Sequence, residues 1–472
     1  MKLQSLLTEY DDSLSGDSYI DPLGQLVIWS AYGQQIFRNR VNSVSNDVRN
    51  FTLNLMHHGV VRSLLQAEDV EVSSALSDQL GPKDSLPFIH ACLIHLENIF
   101  TYSMVDHPEQ DGIDTMGILG GSKARAILSD KEVSSDPQLI FTDKPDGHLL
   151  VRQLGLGVSG RYKTPFVEMG FFDQGYRYFS DTAVERWSEF DRLLGKSVDL
   201  KRCFEEAKSH LVQLISTSQY KSQLPPKLSL SGTPSSLRAA YRKAFTTGGK
   251  VGAETREFWL AVTGLADGAA GALLRVMEKQ LAESKSDEAG NEKLKPEMVV
   301  QEAAYQLDPE TDERQKLANI QRVEPLLAEL DLLFQLARHR KLQTLADVRN
   351  HWENLGRSDS TLPECAETVR YNGRVCAVLD GTAKERMNKL LDLACRETVE
   401  EQLGALINYH ANVMTQRGQL RWVELTRGQE IHNYGRTAPI PAREDRPVGA
   451  WVNTYYLHQF NYLVGGYYGG EQ

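Results

Sequence analysis

Apolar residues recur at three- and four-residue steps along most of the chain. Residues 45–66 place Val48, Phe51, Leu55, Met56, Val60 and Leu64 on one stripe. That spacing predicts a helix, with Ser45 or Asn46 capping its start. Leu86–Val105 is apolar nearly all round and predicts a helix central to its domain. Residues 316–338 carry Leu317, Ile320, Leu327, Leu330, Phe334 and Ala337 close to a heptad seam. Pro325 within it either kinks the helix or opens a new one. Residues 382–413 begin with Thr382 and Glu385 at capping-box spacing, then set Met387, Leu391 and Ala394 on one face.

Two stretches interrupt the helical pattern. Residues 221–236 hold Pro225, Pro226, Gly232 and Pro234 among serines, and residues 282–296 are rich in Lys, Glu, Ser and Asp. Both predict linkers or exposed loops. Residues 419–431 predict a short strand pair turning near Arg427 and Gly428. Residues 451–464, with Trp451, Tyr455, Tyr456, Phe460 and Tyr462, predict a terminal helix packed by aromatics. The expected architecture is mainly α and multi-domain. It comprises a helical domain over 1–110, a module over 111–196, a helical domain over 197–416, and a hairpin with an aromatic helix over 417–472.

Bulk composition narrows the function. A chain of 472 residues exceeds one ordinary core. Its 41% hydrophobic and 24% charged content is that of a folded protein. The net charge of −11 opposes a broad nucleic-acid-binding surface and leaves room only for a local basic site. Five cysteines, Cys92, Cys203, Cys365, Cys376 and Cys395, form no C-x-x-C pair. Reduced thiols in a cytoplasm are the better reading than a disulfide framework or a zinc site. Residues 1–12 lack the apolar core of a secretory signal. The most apolar run, 264–274, is short for a membrane span and contains Asp267.

The most suggestive chemistry lies in residues 146–179. Gly155, Gly157 and Gly160 spell G-x-G-x-x-G, with Asp181 further on. A dinucleotide site needs a strand before that motif and a helix opening on it, inside a βαβ series. No such series surrounds it, and Pro165 falls inside the required helix. A winged helix-turn-helix-like module fits better. A helix over 149–154 meets a second over 161–169 at a glycine turn, and residues 176–179 supply the wing. Ser159, Arg161, Tyr162 and Lys163 would then offer hydroxyls and cations to DNA phosphate, with Arg177 on the wing edge. The bland alternative is a glycine-rich packing turn.

Other constellations are weaker. Gly120, Gly121 and Ser122, with Lys123 and Arg125 nearby, can present amides to an anion at a helix start, but lack Walker A spacing. His57, His58, His90 and His95 do not gather at ligand spacing, so no metal site is expected. Ser218 and Lys221 match S-x-x-K beside a proline linker, and Glu206 and Lys208 sit in a helical charge pattern. Neither supports a catalytic set. Arg417, Arg421, Arg427, Arg436, Arg443 and Arg446 interleave with Trp422, Tyr434 and Trp451. That mixture suits packing or partner binding, with a grip on single-stranded nucleic acid as the alternative.

Two segments resemble parts of uncharacterised proteins encoded in bacterial antiphage defence islands. One runs from Asp21-Pro22-Leu23-Gly24 to Ile36-Phe37, and on through 41–50. The other is 155–172, with its Gly-x-Gly, Arg161-Tyr162 and Met169-Gly170-Phe171-Phe172 run. The resemblance implies a bacterial cytoplasmic protein working beside a helicase, nuclease or other effector. It brings no catalytic residues and no cofactor. The sequence therefore points to a non-catalytic subunit of an antiviral defence system that binds partner proteins and, through 155–172, DNA. The alternatives are an enzyme whose site forms no motif, and a nucleotide-binding regulator using Gly155–Gly160.

Overall fold

A computed structural model describes residues 21–43, 47–106, 113–129, 136–216, 225–246, 253–286, 295–371 and 373–468. The protein is mainly helical, with one antiparallel strand pair and one three-stranded sheet near the C-terminus. It divides into two compact units. One comprises Asn39–Ala266 with Gln459–Gln472, and the other Met1–Arg38 with Asp267–His458.

The first unit is built on Val48–Gln66 and Leu86–Val105, two helices that pack on each other. Asp47 caps the former by accepting from the Arg49 amide, a role the sequence assigned to Ser45 or Asn46, which lie outside the described residues. Ser85 caps the latter, with Pro87 in its first turn. Both helices are buried on nearly every side, because Val198–Ser216 and Ser235–Ala244 cover them in turn. Asp181–Lys196 and Ala253–Thr263 pack as a further pair. Strand β1 (Gln138–Ile140) pairs antiparallel with β2 (Lys227–Ser229), so part of the expected 221–236 linker is ordered sheet. Phe51, Tyr162, Phe166 and Trp259 meet in a buried ring cluster.

In the second unit Asp312–Ala337 is the spine, one helix with Pro325 inside it. Leu26–Phe37, Pro296–Tyr305, Thr361–Tyr371 and Val399–Gln416 pack around it. The single helix expected over 382–413 is two, Gly381–Ala394 and Val399–Gln416. Thr398 starts the second by accepting from the Glu401 amide, and Glu401 accepts in return from the Glu397 amide. A T-x-x-E signal inside the pattern therefore breaks it. The strand pair forms as β4 (Val423–Leu425) and β5 (Glu430–Asn433), and β3 (Leu342–Thr344) joins it in the order β3-β5-β4.

Two buried carboxylates on the spine hold the chain over 449–455. Glu324 accepts from Trp29 Nε1 (2.7 Å), the Tyr455 hydroxyl (2.7 Å) and the amides of Val452 (2.7 Å) and Asn453 (2.9 Å). Burial raises its pKa to about 7 against the pull of those donors. Glu329 receives a two-pronged contact from Arg357, both bonds 2.9 Å, with each side chain fully buried. Residues 451–454 form no helix, and the terminal helix runs over Leu457–Tyr468 rather than from 451.

Candidate functional site: a carboxylate held by a glycine-rich turn

Residues 153–168 fold as three single-turn helices, Gln153–Leu156, Val158–Arg161 and Lys163–Glu168, where the sequence suggested two longer ones. Residues 171–180 contain no strand, so the expected wing is a bonded loop. Gly157 is extended (φ −70°, ψ 175°), and the amide of Ser159 is turned inward to Glu97.

Glu97 is the lone carboxylate on the Leu86–Val105 helix, and it is buried. Its Oε1 accepts from the Ser159 amide (2.6 Å) and the Ser159 hydroxyl (2.5 Å). Its Oε2 accepts from Gln153 Nε2 (3.1 Å), which also donates to Asn98 Oδ1 (2.9 Å). Asn98 Nδ2 donates to the Gly147 carbonyl (2.8 Å), and Gln153 Oε1 accepts the Leu149 amide (2.8 Å). Helix-start amides and a glycine turn form the cradle that elsewhere receives phosphate. Here the anion comes from the chain itself. Burial holds the Glu97 carboxyl above the ordinary range, opposed by the bonds from Ser159, Gln153 and Val158.

The glycines divide by need. A Cβ on Gly157 would collide with Glu97 Oε2 and sit 2.7 Å from the Gln153 carbonyl. One on Gly160 would strike the Leu154 carbonyl. One on Gly155 would meet nothing. Arg152, just before the turn, and Tyr176, in the loop after Lys163–Glu168, both sit at positive φ (54° and 58°). Such backbone persists where surrounding bonds impose it.

The residues assigned to DNA contact are divided between interior and surface. Ser159 and Tyr162 are buried, Ser159 on Glu97 and Tyr162 against Phe51. Lys163 donates to the Gln174 carbonyl (2.8 Å) with its ammonium 4.2 Å from the Tyr176 ring. Burial lowers its pKa, with Asp173 opposing. Arg161 is half-buried, and exposed Arg177 pairs with Asp173 at 2.6 Å. Asp181 is exposed in the first turn of its own helix. Gly121 opens the Gly121–Ser129 helix as expected, with Arg125 donating to Thr115 Oγ1 at 2.6 Å. Ser218 and Lys221 lie outside the described residues.

Four buried histidines are held in hydrogen-bonded contacts. His57 Nε2 is 2.9 Å from the Tyr241 hydroxyl, His58 Nδ1 is 2.8 Å from the Tyr178 hydroxyl, and His95 and His210 face each other at 3.0 Å through their Nε2 atoms. Burial drives His57 down to about 3 and His210 to about 4. His58 and His95 are lowered further by neighbouring histidines. Asn50, Asn54, His57 and His58 share one buried stripe of the Val48–Gln66 helix. That stripe and Glu97 are what reading by motif missed. Polar residues at helical spacing inside an apolar pattern were the signal that could have found them.

The other resembling segment is also framework. Asp21 accepts from the amides of Gln25 (2.9 Å) and Leu26 (3.0 Å). The carbonyls of Asp21, Pro22, Leu23 and Gly24 receive Arg417, His410, Tyr409 and Arg386 in that order. Comparison of the chain with protein-family models, with curated proteins and with solved structures gave no match. Among the described residues, no helix is long and apolar enough to cross a membrane.

Proposed function

We propose that this chain is a non-catalytic, partner-binding subunit of a multi-protein bacterial antiphage defence system. One observation carries the reading. Both segments that resemble defence-island proteins spend their polar groups inside the fold: Asp21–Gly24 on side chains from two helices, and the glycine turn on Glu97. What they share with those proteins is then a framework that displays other surface. Val151 and Leu154 stand exposed on the outer side of the glycine turn and suit a protein partner. The resemblance supplies the partner class, a helicase or nuclease acting on invading DNA.

The test is co-expression of the tagged full-length chain with the products of its neighbouring genes, followed by purification. The reading expects a defined complex that survives purification and that Val151→Glu with Leu154→Glu weakens. It also expects deletion of the gene to raise phage plating. Neighbours that do not co-purify, together with unchanged plating, would overturn it.

A further inference from the structure

We propose that the outer face of the β3-β5-β4 sheet grips single-stranded nucleic acid, a site that stands independently of the scaffold reading. The register sets Leu342, His432 and Glu424 side by side, while the opposite face sends Gln343, Ile431 and Val423 inward. Tyr434, two residues beyond His432, is 61% exposed, and the two rings stack with centroids 6.3 Å apart at 26°. Leu342 and Leu420 add exposed apolar surface at 54% and 89%.

Cations line the chain on either side of the sheet. The Arg338 guanidinium lies 4.6 Å from the Trp422 ring and donates to the Arg436 carbonyl at 3.1 Å. Lys341 donates to the Gly435 carbonyl at 2.6 Å, and Arg340 beside it is exposed. Arg421 and Arg436 are exposed on the flanking chain. Against these five stand Glu424, Glu430, Asp347 beside Arg340, and Asp331 beside Arg338. Glu424 is engaged by Arg421 (2.8 Å) and the Tyr434 hydroxyl (2.9 Å), and Glu430 lies 3.9 Å from His432. In a chain of net charge −11 this face holds a small local excess of cations, complementary to a polyanion.

The rings select among polyanions. A duplex hides the faces of its bases, whereas a single strand offers them to stack on Tyr434 and His432 while its phosphates meet Arg340, Lys341 and Arg436. An acidic peptide matches the charge but leaves the stacked pair without a role. Guanidinium and ring contacts of this kind read no sequence, so the site takes single strands irrespective of base order.

The experiment is fluorescence anisotropy of the full-length chain with a fluorescein-labelled oligothymidylate, between about 50 and 200 mM salt. Circular dichroism establishes that each variant is folded. Tyr434→Leu is expected to weaken binding roughly 5- to 100-fold with the salt slope unchanged. Arg340→Gln with Arg436→Gln is expected to reduce the slope by about 1.4, at roughly 0.7 for each phosphate no longer neutralised. The proposal fails if the oligothymidylate does not bind at low salt, if duplex binds as tightly, or if both variants bind like the parent. Displacement by polyglutamate with Tyr434→Leu having no effect would assign the face to an acidic protein instead.

Discussion

Replacing Glu97 with alanine removes the anion from the turn and leaves its donors behind. The Ser159 amide, the Ser159 hydroxyl and one Gln153 N–H then face a cavity with no acceptor. Each buried donor left unpaired costs about 1–3 kcal/mol. The relief of no longer burying a carboxylate offsets part of this, so a net loss of about 3 kcal/mol is expected. Urea unfolding followed by far-UV circular dichroism reads it as a lower midpoint at constant slope. Glu97→Gln keeps one acceptor oxygen, turns an NH2 toward donors, and should lie between parent and alanine. Formate, which restores a carboxylate in the vacated cradle, should raise the midpoint of Glu97→Ala and leave the parent unmoved, by mass action. A Glu97→Ala protein within about 0.5 kcal/mol of the parent, or one that formate leaves unchanged, would refute the reasoning.

Other expectations follow from the same contacts. Gly157→Ala and Gly160→Ala should each lower the thermal midpoint sharply, whereas Gly155→Ala, with open space around its Cβ, should be neutral or slightly stabilising. Arg357→Met strands the buried Glu329 carboxylate and should cost about 3–5 kcal/mol in urea, with Arg357→Met plus Glu329→Met recovering part of that loss. His57 and His210 have folded pKa values of about 3 and 4, below their unfolded value, so the folded state binds fewer protons. Stability should therefore fall as pH drops below 6.5 toward 4, read as a declining urea midpoint, and a flat profile would contradict the buried neutral pairs. Glu324, raised from 4.5 to about 7, acts with the opposite sign. Its share of stability is lost as pH rises across that window, and Glu324→Gln should remove this loss from the profile.

The fold was readable where one periodic signal spoke alone. Leu86–Val105 was bounded correctly because Ser85 and Pro87 mark the start of a long, largely apolar run. The β4–β5 hairpin announced itself by alternation around Arg427 and Gly428. The break at 395–398 was hidden because the apolar stripe continues across it, while Thr398 accepts from the Glu401 amide and Glu401 from the Glu397 amide where the second helix starts. Strand β3 was invisible for another reason. Three residues, one of them inward-facing, carry too little pattern, and their pairing with β5 spans about ninety positions of sequence.

The site was half legible. The glycines were visible, but their occupant was not, since Glu97 stands some sixty residues away and its role depends on a packing contact no local rule encodes. The same holds for the Asp21–Gly24 carbonyls, whose partners come from 386–417. In both cases the local pattern gave no sign of which distant groups would bond to that backbone.

Amide hydrogen exchange of residues 153–161 in the intact, ligand-free chain tests the central claim most directly. If Glu97 closes the turn from within, the Ser159 amide exchanges only on unfolding of its unit, at the rate of the Leu86–Val105 core. Exchange of that amide as fast as in exposed loops, or protection that arises only on adding a nucleotide or DNA, would mean the cradle is open and built for an external anion.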